Sequence, residues 1–241
     1  MKISIVVPAF NEEKLLSSSL QGIQASASAF YGLAWQTELI VCDNNSTDCT
    51  AELARAAGAR VVFEPINQIG RARNRGASVA AGDWLIFVDA DSIPSAELFA
   101  AVARAIQSGK CLAGGSTVRL ERGYVIGNLI TSGWNILSRI TKWAPGSFMF
   151  CERAAFEKIG GFSEELFVAE ELDLFQRLKK LAIEHGKQIV IVHQHPLLTS
   201  ARKMHLYSPW DHLLLLAKTL VRTAKTVRSR EECFMWYDGR R

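Results

Sequence analysis

Trp84-Leu85-Ile86-Phe87-Val88-Asp89-Ala90-Asp91 is the stretch that decides the fold. Five apolar residues in a row are too few for a helix, and an unbroken apolar run lacks the alternation of a half-exposed strand. The run therefore reads as a short strand buried on both faces. Gly82 stops a helix ahead of it, and two carboxylates follow at once. An apolar strand that ends abruptly in acid places polar groups at one edge of a sheet, where open α/β sheets bind ligands.

Working back from this strand, the same pattern recurs. Ile69 to Ala81 predicts a helix with small residues on one side, and Arg60 to Glu64 a strand. Thr50 to Ala57 predicts a helix stopped by Gly58, and Thr37 to Cys42 a strand. Glu12 to Ser28 predicts a helix with Asn11 as its cap and two acidic residues at its positive end. Met1 to Val7 predicts a buried strand, ended by Pro8. Four strands alternate with three helices, so the expected fold class is α/β: a Rossmann-like, doubly wound, mainly parallel sheet with helices on both faces.

Forward of Asp91 the signals are less regular. Ser95 to Ser108 reads as an amphipathic helix, and Ala113 to Leu120 as a strand. Tyr124 to Trp143 is an apolar stretch, Gly146 to Cys151 a strand, and Glu152 to Ile159 a helix. Glu170 to His185 reads as a helix and Gln188 to His193 as a strand. Leu206 to Arg228 is a last amphipathic helix with a basic face. The expected organisation is a catalytic domain over residues 1–204, with a ligand-binding half at 1–110 and a second half at 111–204. A basic helical appendage follows at 205–241.

The chain has 241 residues, 49% of them hydrophobic and 22% charged, enough for one sizeable core and against disorder. A net charge of +4, spread along the chain, argues against a nucleic-acid partner. Five scattered cysteines without a CxxC pair argue against a disulfide framework or structural zinc, and so for a reducing, cytoplasmic setting. The start lacks a signal-peptide pattern, and no apolar run approaches a membrane span.

Five groups of residues suggest chemistry. Asp89 and Asp91, two residues apart after a buried strand, suit a hard cation such as Mg2+ or Mn2+ whose shell phosphates complete. The alternative is an acidic turn. Asp43 follows the second strand and can accept from a base or a ribose hydroxyl. Asn44 to Asp48 behind it form a turn and a helix cap. Arg71, Arg73 and Arg75 open a helix with Asn74, and arginine suits phosphate, although a solvated basic face accounts for Arg75. Glu170 and Glu171 begin another helix, where negative charge is favourable in any case and where a carboxylate can also take a proton from a hydroxyl. His193 and His195 flank a strand end. His193 is a candidate third metal ligand or a structural histidine.

In combination and order these blocks resemble family 2 glycosyltransferases of the GT-A fold. The resemblance runs from about Lys2 to Leu198. It rests on Ile5-Val6-Val7-Pro8-Ala9-Phe10-Asn11-Glu12, Val41-Cys42-Asp43-Asn44-Asn45-Ser46-Thr47-Asp48, Ala72-Arg73-Asn74-Arg75-Gly76, Gly82 to Asp91, Phe156 to Phe162 and Glu170-Glu171-Leu172-Asp173-Leu174. It implies a nucleotide-diphosphate sugar donor, UDP being the commonest donor nucleotide in the family, and a saccharide or lipid-linked acceptor. It implies that Pro8, Ala9, Phe10, Glu12 and Asp43 hold the nucleoside. Arg71 or Arg73, with Asn74, would assist at base or phosphates. Asp89, Ala90 and Asp91 would meet ribose and metal, with Asp91 on the metal.

The family's base, second of a Glu-Asp pair, falls on Glu171. Because Glu171 is one methylene longer than Asp, Glu170 is the alternative. Phe10 stands where Tyr is common, and Asn44-Asn45 replaces Asp-Gly. The QxxRW motif of processive synthases is missing, which implies transfer of a single sugar; the resemblance to family 2 implies inversion.

Trp134, Trp143 and Phe148 either stack on an acceptor or pack in the core. Thr199 to Lys203 is a basic loop able to close over a diphosphate. The last helix either lies on the inner face of a membrane or packs against its own domain or a second subunit in a homodimer. A catalytically silent sugar-nucleotide binder and a nucleotidyltransferase of similar fold remain as alternatives. The missing Gly-rich loop after the first strand weighs against the second, and the missing GxGxxG against a dehydrogenase.

Overall fold

A computed structural model describes residues 1–120 and 125–200, with Arg202, Arg228, Ser229, Glu231 and Cys233 beyond them. In chain order the elements are β1 (Lys2–Ala9), α1 (Leu16–Ser26), α2 (Ser28–Tyr31), β2 (Gln36–Asp43), α3 (Thr50–Ala56), β3 (Arg60–Phe63), α4 (Ile69–Ser78) and β4 (Trp84–Val88). There follow β5 (Ser92–Ile93), α5 (Ala96–Gln107), β6 (Cys111–Leu120), α6 (Val125–Thr141), β7 (Phe148–Glu152), α7 (Arg153–Lys158), α8 (Glu170–Glu184) and β8 (Gln188–Thr199). The basic helix expected at Leu206 to Arg228 lies outside the described residues, apart from Arg228.

Among the described residues the strands form one sheet in the order β3-β2-β1-β4-β7-β6-β8-β5. The first four strands are parallel throughout, as the strand–helix alternation requires. Beyond β4 the sheet is mixed: β7 runs antiparallel to both β4 and β6, β8 parallel to β6, and the short β5 antiparallel to β8. Neither β5 nor the extension of β8 to Thr199 was expected from the sequence. His193 to Thr199 contains two histidines and a proline, and it forms strand because Leu197 to Thr199 find partners in β6 and Ser92 to Ile93.

Helices cover both faces. Ile3, Ile5 and Val7 of β1 share one buried cluster with Leu16, Leu20 and Ile23 of α1 and Phe99 and Val102 of α5. Val6, Leu85 and Phe87 share the other with Ala77 of α4, Phe156 of α7 and Phe175 and Leu178 of α8. That two-sided burial is why β4 is apolar at every position. Gly76 lets α4 approach: a Cβ there would lie 2.4 Å from Val6 Cγ1. Phe148 is fully buried in the first cluster, so core packing accounts for it.

One expected cap is replaced. The first helix starts at Leu16, not Glu12, and Asn11 sits at φ 53° in the left-handed region that Asn tolerates. Its side-chain oxygen accepts from the Thr47 N–H at 2.8 Å, and its own N–H donates to Ser46 Oγ at 3.0 Å. Asn11 thus ties the loop after β1 to the loop after β2.

Candidate active site

The register brings three strand ends together. Ala9 pairs with Asp43 across β1 and β2, and Val6 with Phe87 across β1 and β4. The loops beginning at Phe10, Asn44 and Asp89 therefore leave the sheet side by side. Asp43 is buried, and its carboxylate accepts from the Ser46 N–H at 3.1 Å, closing the turn expected there. Asn44 is also buried. Its amide donates to the Glu64 and Ile66 carbonyls and accepts from the Gln68 N–H, which anchors the start of α4.

Arg73 points from α4 into the protein, with a side chain only 1% exposed. Its guanidinium donates to Glu170 Oε1 at 2.6 Å, Asp89 Oδ1 at 3.0 Å and the Gly146 carbonyl at 2.9 Å, and lies over the Phe162 ring. Burial opposes its charge, but Asp89, Glu170 and Glu171 around it outweigh burial and raise its pKa above the ordinary value. Arg71 pairs instead with Glu64 and Glu164. Asn74 binds Phe162 at both ends of its amide, accepting from the N–H and donating to the carbonyl. Of the basic cluster on α4, only Arg73 joins the carboxylates of Asp89 and α8. Arg75 is exposed.

Glu170 and Glu171 open α8 just after Ala169, which adopts φ 64° and ψ 19°. That conformation costs a residue with a Cβ about 1–2 kcal/mol. The strain sits where the chain turns to present the two glutamates. Glu170 is held by Arg73, while burial first and the Glu170 carboxylate second push the Glu171 carboxyl up to about 8. Arg73, Asp89, Gly146, Ser147, Glu170 and Glu171 line a cavity of about 200 Å³. Gly146 and Ser147 carried no sequence signal. They reach the cavity because the chain enters β7 there, with the Asp89 N–H donating to the Ser147 carbonyl.

Asp91 is not among the residues lining that cavity. The Ser92 N–H donates to the Asp89 carbonyl at 3.1 Å, so Asp89 to Ser92 form a turn, and the two carboxylates meet different arginines. Asp91 Oδ2 lies 3.6 Å from Arg202, which follows β8 and also grips both oxygens of buried Glu12 at 2.9 and 2.8 Å. The basic loop expected near the diphosphate thus contributes Arg202 to the strand-end loops. His193 lies apart. It lines two other cavities, with Ile136 and Arg139, and is not among the residues lining the cavity of Asp89, Glu170 and Glu171. Among the described residues no group of three or more His, Cys, Asp or Glu side chains is placed to hold a metal ion alone. Two carboxylates remain, a donor set that suits a hard divalent cation whose other ligands are phosphate oxygens.

The chain matches the family described as "Glycosyl transferase family 2" over residues 4–160. It is 38% identical over 96 residues to the 4,4'-diaponeurosporenoate glycosyltransferase of Staphylococcus haemolyticus, a match covering 37% of this chain and 24% of that protein. The mannosyltransferase from Pyrobaculum calidifontis, solved in complex with GDP-Man and Mn2+, shares the fold with a TM-score of 0.69 at 18% identity. That match covers 94% of this chain and 64% of the other. The glucosyl-3-phosphoglycerate synthase from Mycobacterium tuberculosis, solved with Mn2+, UDP and phosphoglyceric acid, gives 0.59 at 22% identity, covering 96% and 78%. At these identities the structural likeness is one of fold, the GT-A fold. The matched stretch is about a quarter of the length of the curated relative.

Proposed function

Because the chain belongs to glycosyl transferase family 2, we propose that it moves a single sugar from a nucleotide-diphosphate donor, a UDP-sugar, onto a saccharide or lipid-linked hydroxyl acceptor, with inversion. One observation carries the reading. Asp89 from the end of β4 and Glu170 and Glu171 from the start of α8, about eighty residues apart in sequence, line the same small cavity around Arg73.

In this reading Asp43 and the Phe10 to Glu12 loop hold the nucleoside, with Pro8 and Ala9 shaping the strand end. Asp91, with Asp89, holds Mg2+ or Mn2+. When bound, that cation would neutralise charge on the departing nucleoside diphosphate. The acceptor hydroxyl enters the cavity, and Glu171 takes its proton as the oxygen attacks the anomeric carbon. The high pKa of Glu171 makes it a stronger base than an ordinary carboxylate. Glu170 and Arg73 orient Glu171 and Asp89 rather than react. The solved relatives with UDP or GDP-Man and Mn2+ support the donor class and the cation.

The test is a panel of nucleotide sugars assayed for release of nucleoside diphosphate, with and without Mn2+ and with candidate acceptors. Acceptor-dependent release supports the reading. Donor binding with no release under any acceptor would favour a silent binder and sink it.

A further inference from the structure

Away from the strand ends, α6 crosses β6 and β8 and leaves part of its surface uncovered. Ile136 and Ile140, one helical turn apart, are 59% and 75% exposed, and Leu137 beside them is 42% exposed. Single exposed apolar residues are ordinary, but three within five residues of one helix form a patch. Beneath this ridge lie two adjoining cavities of about 430 and 580 Å³ that share Ile136, Arg139 and His193. Arg119 lines the first and Lys142 the second, and among the described residues neither cavity is lined by an Asp or Glu. Exposed isoleucines flanked by cations, with no acid among the described lining groups, match an interface that is apolar on one side and anionic on the other.

We propose that the ridge Ile136, Leu137 and Ile140, with Arg119, Arg139 and Lys142 beside it, docks the protein on an anionic phospholipid bilayer. The isoleucines enter the acyl boundary, and the cations meet lipid phosphates. Charge decides for a bilayer over a second copy of the chain, since two such faces would bring like charges together. The trough also points towards the strand-end site. Leu120 at its rim pairs with Thr199, whose hydroxyl accepts from Ser92 Oγ at 3.0 Å, one residue from Asp91. Docking here keeps the edge of the strand-end site near the membrane surface. It does not depend on what the site catalyses.

The test is co-sedimentation of the full chain with vesicles of phosphatidylcholine alone or mixed with phosphatidylglycerol. The expected result is binding to the mixed vesicles only. Arg139→Glu with Lys142→Glu should weaken it at least about 30-fold, since each cation near an anionic surface contributes about fivefold and each reversal also adds repulsion. Ile140→Ser should weaken it severalfold. All three positions are exposed, so the variants should keep the wild-type circular dichroism and melting temperature. No binding by the wild type overturns the proposal. So does undiminished binding by the double variant, which would place the contact in the basic segment after residue 204. A wild-type dimer that the variants dissociate, without any vesicle binding, also overturns it by making the face a contact between copies.

Discussion

Two arginines, Arg73 and Arg202, each sit among carboxylates, and the contrast between them explains how the site is built. Arg73 comes from within α4, is 1% exposed, and joins β4, the start of β7 and α8 through Asp89, Gly146 and Glu170. Arg202 follows β8, is 14% exposed, and joins Glu12 to the neighbourhood of Asp91. The first cluster is framework: withdrawing its cation leaves Glu170 buried and unpaired and takes the arginine from Asp89. The second ties buried Glu12 to Arg202 beyond β8, with Asp91 3.6 Å from the same guanidinium. Asp89 and Asp91, two residues apart, belong one to each cluster. The DxD sequence is therefore a junction between the two clusters.

The contrast can be broken most sharply at the chemistry. Glu171→Gln should lower kcat by about 100- to 10,000-fold while leaving donor affinity unchanged, as measured by steady-state kinetics and calorimetry. Asp91→Ala should cost a similar factor, and excess Mn2+ should not restore it. Near-normal turnover in Glu171→Gln would move the base to Glu170 and make the Arg73 cluster catalytic rather than positioning.

Next comes stability. Arg73→Met should destabilise the fold by about 3–5 kcal/mol in urea unfolding, because Asp89 and Glu170 lose a buried partner. A loss below about 1 kcal/mol would show that the cluster is not framework.

The pH response is smaller and has opposite signs for activity and stability. Glu171 has its carboxyl pushed from 4.5 to about 8 in the folded protein. As base it must be ionised, so kcat/KM should rise about tenfold per pH unit up to about 8. Between about 4.5 and 8 the folded state holds a proton that the unfolded state has released. The contribution of Glu171 to stability therefore falls as pH rises through the same window. An acid limb in the ordinary carboxylate range would remove Glu171 from the role.

Arg202→Met should have the smallest effect on folding, about 1–2 kcal/mol from the lost charge-assisted bonds to Glu12, and should appear chiefly as a higher KM for the donor. A loss as large as that of Arg73→Met would erase the distinction between the two clusters.

Much of the fold was legible. The strands from β1 to β4 and the helices between them fall close to their expected bounds, because short apolar runs and Gly stops report local structure directly. The acidic strand ends were legible for the same reason. Asn11 misled, since an Asn before a helical pattern reads as a cap, whereas its side chain serves a loop thirty-six residues away. Asn74 and Arg71 looked equivalent to Arg73, although their amide and guanidinium go to Phe162, Glu64 and Glu164. Sequence marks residue type. Which way a helix faces is set by packing.

By itself the sequence determined the α/β class, the sheet edge that gathers the acidic strand ends and the family, because these follow from periodicity and from short motifs in a fixed order. Tertiary structure alone decided the mixed half of the sheet beyond β4, the pairing of Asp89 and Asp91 with different arginines, and the choice of Arg73 as the buried hub. Each of these depends on which distant segments meet, and a strand's register and a turn's direction are fixed only when their partners are in place.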